Sequence, residues 1–268
     1  MKVPQLKKKT ELKSCHNTNW EDDYSWVHQP NILEVLKDSS KLDPEVRKYL
    51  EEENNYTEHH LKDTKGIQKT LFDEIKGRIK LDDESIPFKD RNYEYWTRTT
   101  TKGNYSIKLR KKIGTDLIEE YWNGDEEKKK LNTEYFGVGD IEVSYNDKIL
   151  GYSLDLKGSE YYTVYLRDIE TNKIISEKIE DTAGGITFSL DDKFIFYSKL
   201  DKFHRPRKIY RHKIGDNISN DKLIFEEKSD AFTVGINLTS DEKYFIITSS
   251  DHNTSEQYYF KSTEENPE

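Results

Sequence analysis

Cysteine is almost missing from this 268-residue chain. Cys15 stands alone, so no intrachain disulfide can form, and a reducing compartment fits. No stretch approaches the roughly 18 apolar residues that read as a membrane helix, so no membrane partner is expected. The first ten residues, Met1 to Thr10, are basic but have no apolar run behind them, which excludes a secretory signal and leaves the cytoplasm as the expected location. Positive charge is also short: 43 Lys and Arg face 52 Asp and Glu, a net charge of -9 that suits solubility and argues against nucleic acid. Aliphatic side chains are scarce as well, with hydrophobic residues at 33% and charged residues at 35%.

What the chain does have is aromatic rings. Its 18 Tyr, 11 Phe and 4 Trp supply enough large apolar surface for a core, and disorder over most of the chain is excluded. Many of these rings lie in one recurring unit. Ile186 to Asp201 places an Asp191-Asp192-Lys193 turn between two runs rich in β-branched and aromatic residues, the pattern of a β-hairpin. Val143 to Ser153 and Leu238 to Thr248 repeat it. Ser144, Ser189 and Thr239 fall in register, as do Asp147, Asp192 and Glu242, and Lys148, Lys193 and Lys243. Strand-rich units recurring every 45 to 50 residues point to propeller blades, four-stranded sheets that cannot bury their faces alone.

Residues 1–85 differ in kind and read as a helical extension. Asp43 followed by Pro44 is an N-cap with proline at the first helical position, and Val46, Tyr49, Leu50 and Tyr56 fall near one face. Ile67, Leu71, Phe72 and Ile75 predict a second amphipathic helix ending around Gly77. Residues 86–268 read as strands. Tyr93 to Thr99 and Tyr105 to Arg110 flank a Lys102-Gly103-Asn104 turn, and Leu117 to Trp122 forms a further strand closed by Asn123-Gly124-Asp125. Blade-like units start near Gly137, Asp181 and Ala231. Within them, Thr163 to Asp168 turns into a strand at Ile174-Ile175, and Arg207 to Ile214 turns into Lys222 to Phe225. The last unit reaches Phe260 and ends in Ser262 to Glu268. One partial blade, two full ones and a truncated one make three to four, whereas closed propellers usually hold four to eight. The fold expected is mainly β: an incomplete β-propeller behind an N-terminal α-helical segment. An open strand edge on such a chain predicts poor solubility or oligomerisation.

Few residues suggest chemistry. Gly151-Tyr-Ser153-Leu-Asp155 comes within one residue of a nucleophile elbow, but Ser153 aligns with Ser198 and Thr248 at a strand end and reads as structural. Gly137-Val-Gly139 lacks the third glycine of a dinucleotide fingerprint and reads, like Gly184-Gly185, as the start of a blade strand. His59-His60 are adjacent on a helix and diverge by about 100°, unlike an i, i+4 metal pair, and read as exposed. His16, His28, His204, His212 and His252 are scattered, with no activated Ser or Cys partner evident. The recurring Asp147, Asp192 and Glu242 read as solvent-facing turn residues. Asp22-Asp23 reads as an N-cap or an interdomain ion pair rather than an acid/base couple. No catalytic, cofactor-binding or metal-binding residue is expected in this chain.

Several strings in order resemble the prolyl oligopeptidase family of serine peptidases: Asp22-Asp23-Tyr24 with Trp26, Asp43 to Thr57, Leu71 to Ile79 and Ser85-Ile-Pro87. Tyr93, Tyr95 and Arg98, with Arg205 to His212, are similar to oligopeptidase B within that family. The resemblance, running from about residue 20 to about residue 260, implies a seven-bladed propeller capping an α/β-hydrolase domain, on which the helical segment packs. It implies a serine endopeptidase that cleaves short peptides, after Arg or Lys in oligopeptidase B-like members. It places the Ser, Asp and His of the triad in a C-terminal domain this sequence does not contain. The chain is then expected to gate substrate access, to dock on the hydrolase domain in cis or in trans, and to be inactive alone. The competing expectation is a stand-alone propeller-type binding module without enzymatic activity. A reading frame downstream of Glu268 carrying Gly-x-Ser-x-Gly separates the two.

Overall fold

The computed structural model describes residues 1–264 and 267, and the chain divides into two compact units, Met1–Lys80 and Leu81–Glu268. The expected tail of the last blade falls partly outside the described residues, at Glu265, Asn266 and Glu268.

The first unit opens on a hairpin that composition does not announce, β1 (Glu11–Cys15) paired antiparallel with β2 (Thr18–Asp22). Its two-residue turn, His16-Asn17, has both φ angles positive, at 49° and 63°, which suits the right-handed twist of the flanking strands. Both strands are almost wholly exposed, so no alternation betrays them. Three helices follow: α1 (Ile32–Lys37), α2 (Pro44–Leu61) and α3 (Lys65–Gly77). Asp43 caps α2 as expected, its Oδ1 accepting from the amides of Glu45 (2.7 Å) and Val46 (3.2 Å). On α3, Ile67, Leu71, Phe72 and Ile75 are all exposed, a complete apolar stripe facing solvent.

The second unit is mainly β and builds an incomplete propeller. Its first blade holds β3 (Asp83–Glu84) and β4 (Phe88–Asp90), both pairing β5 (Tyr93–Thr99), then β6 (Ile107–Lys112) and β7 (Ile118–Asn123). Ile86-Pro87 lies between β3 and β4, where proline cannot donate to the ladder. After β7 the expected Asn123-Gly124-Asp125 turn is instead the start of a helix, α4 (Gly124–Leu131). Asn123 caps it, accepting from Glu126 N at 3.2 Å, and three acids then three lysines match the helix dipole.

The next seven strands form one continuous sheet, yet they make two blades. They are β8 (Gly137–Val143), β9 (Ile149–Asp155), β10 (Tyr162–Asp168), β11 (Ile179–Phe188), β12 (Phe194–Leu200), β13 (Pro206–Lys213) and β14 (Lys222–Glu226). β11 belongs to both: Ile179 pairs with β10, Thr182 with β10 and β12 alike, and Ile186 to Phe188 with β12. It is the outer strand of the second blade and the inner strand of the third. The expected strand at Ile174-Ile175 is therefore corrected. Only an isolated bridge joins Ile174 to Arg167, because Ile179–Thr182 takes the fourth place in the sheet. A three-stranded sheet of β15 (Thr233–Leu238), β16 (Tyr244–Ser250) and β17 (Ser255–Lys261) makes the last blade.

Among the described residues, three core clusters sit between successive blades, while a fourth, Trp96 with Ile107 and Leu109, lies within the first blade. Trp122 and Phe136 meet Leu150, Tyr152 and Leu154. Val164, Leu166 and Ile179 meet Ile186, Phe188, Ile195 and Tyr197. Phe196 and Ile209 meet Val234, Ile236, Phe245, Ile247 and Phe260. The first three clusters bury the apolar faces of blades against their neighbours.

The repeated turns share one hydrogen-bond scheme. Ser189 Oγ donates to Asp191 Oδ1 (2.7 Å) and accepts from Phe194 N (3.0 Å), while the Asp192 amide donates to Ser189 O (3.0 Å). Ser144 with Asn146, and Thr239 with Asp241, do the same. Asp147, Asp192 and Glu242 occupy the left-handed position at φ 62°, 56° and 59°. Their expected solvent-facing role is corrected for two of them. Asp147 is 5% exposed and accepts from Tyr95 OH (2.8 Å) and Asn92 Nδ2 (2.9 Å) of the first blade. Asp192, half-buried, accepts from Tyr145 N (2.6 Å) in the second blade's turn. Each staples its blade to the one before; Glu242 alone is exposed.

Candidate functional site

The innermost strand of every blade faces a common cavity of about 560 Å³. Its wall carries a repeat within the repeat: Asp140 and Glu142 on β8, Gly185 and Thr187 on β11, Gly235 and Asn237 on β15. These positions keep the offsets of the turns, so the turn register locates the inner wall. Reading the sequence without that extension missed them. Asp90, Glu242 and Arg91 complete the charged lining, four carboxylates to one guanidinium.

The carboxylates are not equivalent. Asp140 accepts from Ile141 N (2.9 Å) and, across the blade boundary, from Ile186 N (3.0 Å). Desolvation nevertheless holds its carboxyl above the usual range. Glu142 is pushed up to about 7 by desolvation and then by the negative charge of Asp140, with Arg91 pulling the other way. Arg91 itself lies over the Tyr145 ring, 4.3 Å from its centroid, and pairs with Asp90 at 2.5 Å.

Ser153 lies on β9, fully buried, donating to Gly184 O (2.6 Å) and accepting from Asp140 N (3.0 Å). Its hydroxyl is used up in joining blades, and no strand-to-helix turn surrounds it. Gly139 is glycine because a Cβ there would lie 2.5 Å from Ser153 Oγ and 2.8 Å from the Tyr162 ring. Gly184 takes φ +97° at the bend of β11.

One histidine does have a serine partner, which the sequence pattern hid. His212 on β13 has Nε2 2.8 Å from Ser176 Oγ and Nδ1 2.7 Å from Asp221 Oδ1; Tyr197 OH donates to Asp221 Oδ2 at 2.8 Å. The distances are those of a Ser-His-acid chain. The imidazole, however, is 0% exposed and held between Ser176 and Asp221, so no substrate leaving group can reach its Nε2. The remaining sites stay apart. His59 and His60 sit in the last turn of α2, their rings edge to face, with His60 against Tyr56. Asp22 Oδ1 accepts from Tyr24 N (2.8 Å), and Asp23 accepts from Lys8 Nζ (2.7 Å) and Thr10 Oγ1 (2.6 Å) within the first unit. Neither is a helix cap, and the Lys8 contact holds the Asp23 carboxyl below its usual value. Among the described residues, no three His, Cys, Asp or Glu side chains gather as a metal site, and no helix is long and apolar enough to cross a membrane.

Residues 4–268 match the family described as prolyl oligopeptidase, N-terminal β-propeller domain. Dipeptidyl aminopeptidase BI of Pseudoxanthomonas mexicana is 28% identical over 261 residues, which cover 91% of this chain and 35% of that protein. Protease 2 of Moraxella lacunata is 27% identical over 263 residues, 96% of this chain and 36% of the relative. The chain thus spans 35–36% of the length of these curated relatives. Oligopeptidase B from Leishmania major has the same fold, with a TM-score of 0.85 at 22% identity over 98% of this chain and 38% of that one. With its blades, its shared inner wall and this match over nearly every residue, the chain belongs to the prolyl oligopeptidase family as an N-terminal, incomplete β-propeller.

Proposed function

We propose that the chain is the access-controlling part of an oligopeptidase B-like serine endopeptidase that cleaves short peptides after Arg or Lys. The observation that carries this reading is the cavity wall: Asp90, Asp140, Glu142 and Glu242 outnumber Arg91, a field that draws cationic segments inward. Acyl transfer by a Ser nucleophile and a His base belongs to an α/β-hydrolase domain, supplied in cis or in trans. The exposed stripe of α3 supports docking on that domain, since an apolar helix face of this size calls for a partner. A single exposed cysteine and the acidic net charge support a cytoplasmic protein without a nucleic-acid partner. The helical extension and the propeller are read as two domains meeting near residue 85.

The 268-residue chain alone hydrolyses no peptide, because the Ser176-His212-Asp221 chain among the described residues has a fully buried imidazole. The purified chain is assayed with an Arg-containing chromogenic dipeptide, and no turnover is expected. Turnover that survives removal of contaminants and is lost in a Ser176→Ala variant overturns this reading.

A further inference from the structure

The Ser176–His212 contact has a setting that ordinary blade packing does not require. Blade two reaches its fourth strand only after a detour. After the bridge at Ile174 and the Ile175 N to Leu166 O bond (3.0 Å), the chain departs from β10 and rejoins it only at Ile179. In between, Ser176 reaches across to the third blade and meets His212, which Asp221 and Tyr197 hold from behind. Asp221 lies in the loop before β14 and Tyr197 on β12, so the histidine that Ser176 meets is itself tied to two further elements of the neighbouring blade. Tyr197 donates to a carboxylate from a buried position, and burial together with Asp221 keeps its phenol protonated.

Just beyond the contact, β11 bends. Asp181 has φ +59° and Gly184 φ +97°, and the register slips between Thr182 and Ile186. These are backbone states that absorb a change of direction, at the place where one strand passes from one blade to the next. In the fork below the bend lies a second cavity of about 560 Å³, walled by Ile179, Tyr197, Lys199 and Ile218 among others. A contact on one side, a bend on the other and a space between them make a clasp.

We propose that residues 174–180 form a strap, latched to the third blade through Ser176, His212, Asp221 and Tyr197 and hinged at Asp181–Gly184, whose release lets blades two and three part and opens the fork cavity. The latch is polar, with Ser176 half-buried and the imidazole fully buried, so breaking it leaves a buried ring nitrogen without its partner. This inference is independent of the peptidase reading, because it uses only contacts within two adjacent blades.

Hydrogen exchange read by mass spectrometry on the whole protein tests it. In Ser176→Ala, amides in 175–182 are expected to exchange about tenfold faster, while those of β12 and β13 keep their protection. Tyr197→Phe, which leaves the imidazole untouched, is expected to act in the same segment and same direction. Ser176→Thr, which keeps the hydroxyl, is expected to restore slow exchange. Unchanged exchange at 175–182 in Ser176→Ala overturns the strap. So does an equal increase throughout β12 and β13, which would make Ser176 a general stabilising contact with no local opening.

Discussion

Glu142 shows how much one side chain on the cavity wall depends on its surroundings. Its carboxyl ordinarily titrates near 4.5 and is here pushed up to about 7, first by desolvation and then by Asp140. The folded protein therefore keeps a proton between pH 4.5 and 7 that the unfolded chain has lost. The stability this contributes is complete below pH 4.5 and disappears as pH rises through 7. Because the side chain still meets solvent in the cavity, the effect is modest. Urea unfolding at pH 5 and pH 7.5 should show a fall in midpoint that Glu142→Gln reduces. A variant that declines as steeply as the parent protein would remove Glu142 from this role.

Among the elements, the three hairpin turns are built alike and used differently. Asp147 and Glu242 occupy equivalent left-handed positions, so replacing either with alanine carries a similar backbone cost. The difference reports the side chain. Asp147→Ala strands the hydroxyl of the buried Tyr95 and is expected to cost about 1–3 kcal/mol more than Glu242→Ala. The side-chain part of the exposed Glu242 change should stay within about 0.5 kcal/mol. Denaturant titration of both variants gives the answer, and equal losses would refute the stapling role of Asp147. Repetition made the turns legible, because Ser, Asp and Lys recur within six residues. It could not rank them: whether a turn carboxylate is buried depends on a neighbouring blade that lies 50 residues away in the chain. The β1–β2 hairpin and α4 went unread for a related reason. One has exposed strands without alternation, and the other begins with an Asn-Gly-Asp string that serves a turn equally well.

At the scale of the molecule, apolar surface among the described residues faces solvent at two places that matter for association. One is the α3 stripe of Ile67, Leu71, Phe72 and Ile75; the other is β17, last in its sheet among the described residues, with Tyr258 and Tyr259 exposed. Unpaired strand edges and contiguous apolar faces promote association. The purified chain should therefore scatter light as more than a monomer. The combined changes Ile67→Gln, Phe72→Lys and Ile75→Glu should lower its apparent mass. A sharp monomeric peak from the unsubstituted chain would contradict this. The cavity wall was partly within reach of the sequence: the 45- and 50-residue offsets carry Glu142 onto Thr187 and Asn237. Its acidity was not, since nothing local shows that a strand faces inward.

The sequence by itself determined the blades. Their hairpins rest on hydroxyl and carboxylate contacts made inside one turn, and their aromatic strands need a neighbouring face, so repetition alone implies a propeller. It also placed the cap of α2 at Asp43 and the apolar stripe of α3, both local patterns. Only the tertiary structure decided how the blades are joined. β11 serves two blades of one sheet, with its bend at Asp181–Gly184 between the two runs of pairing. Ser176 meets His212 across 36 residues of chain, and Asp147 meets Tyr95 across 52. Such contacts arise from blade stacking, which is set by the fit of whole faces, and no single stretch of residues encodes them.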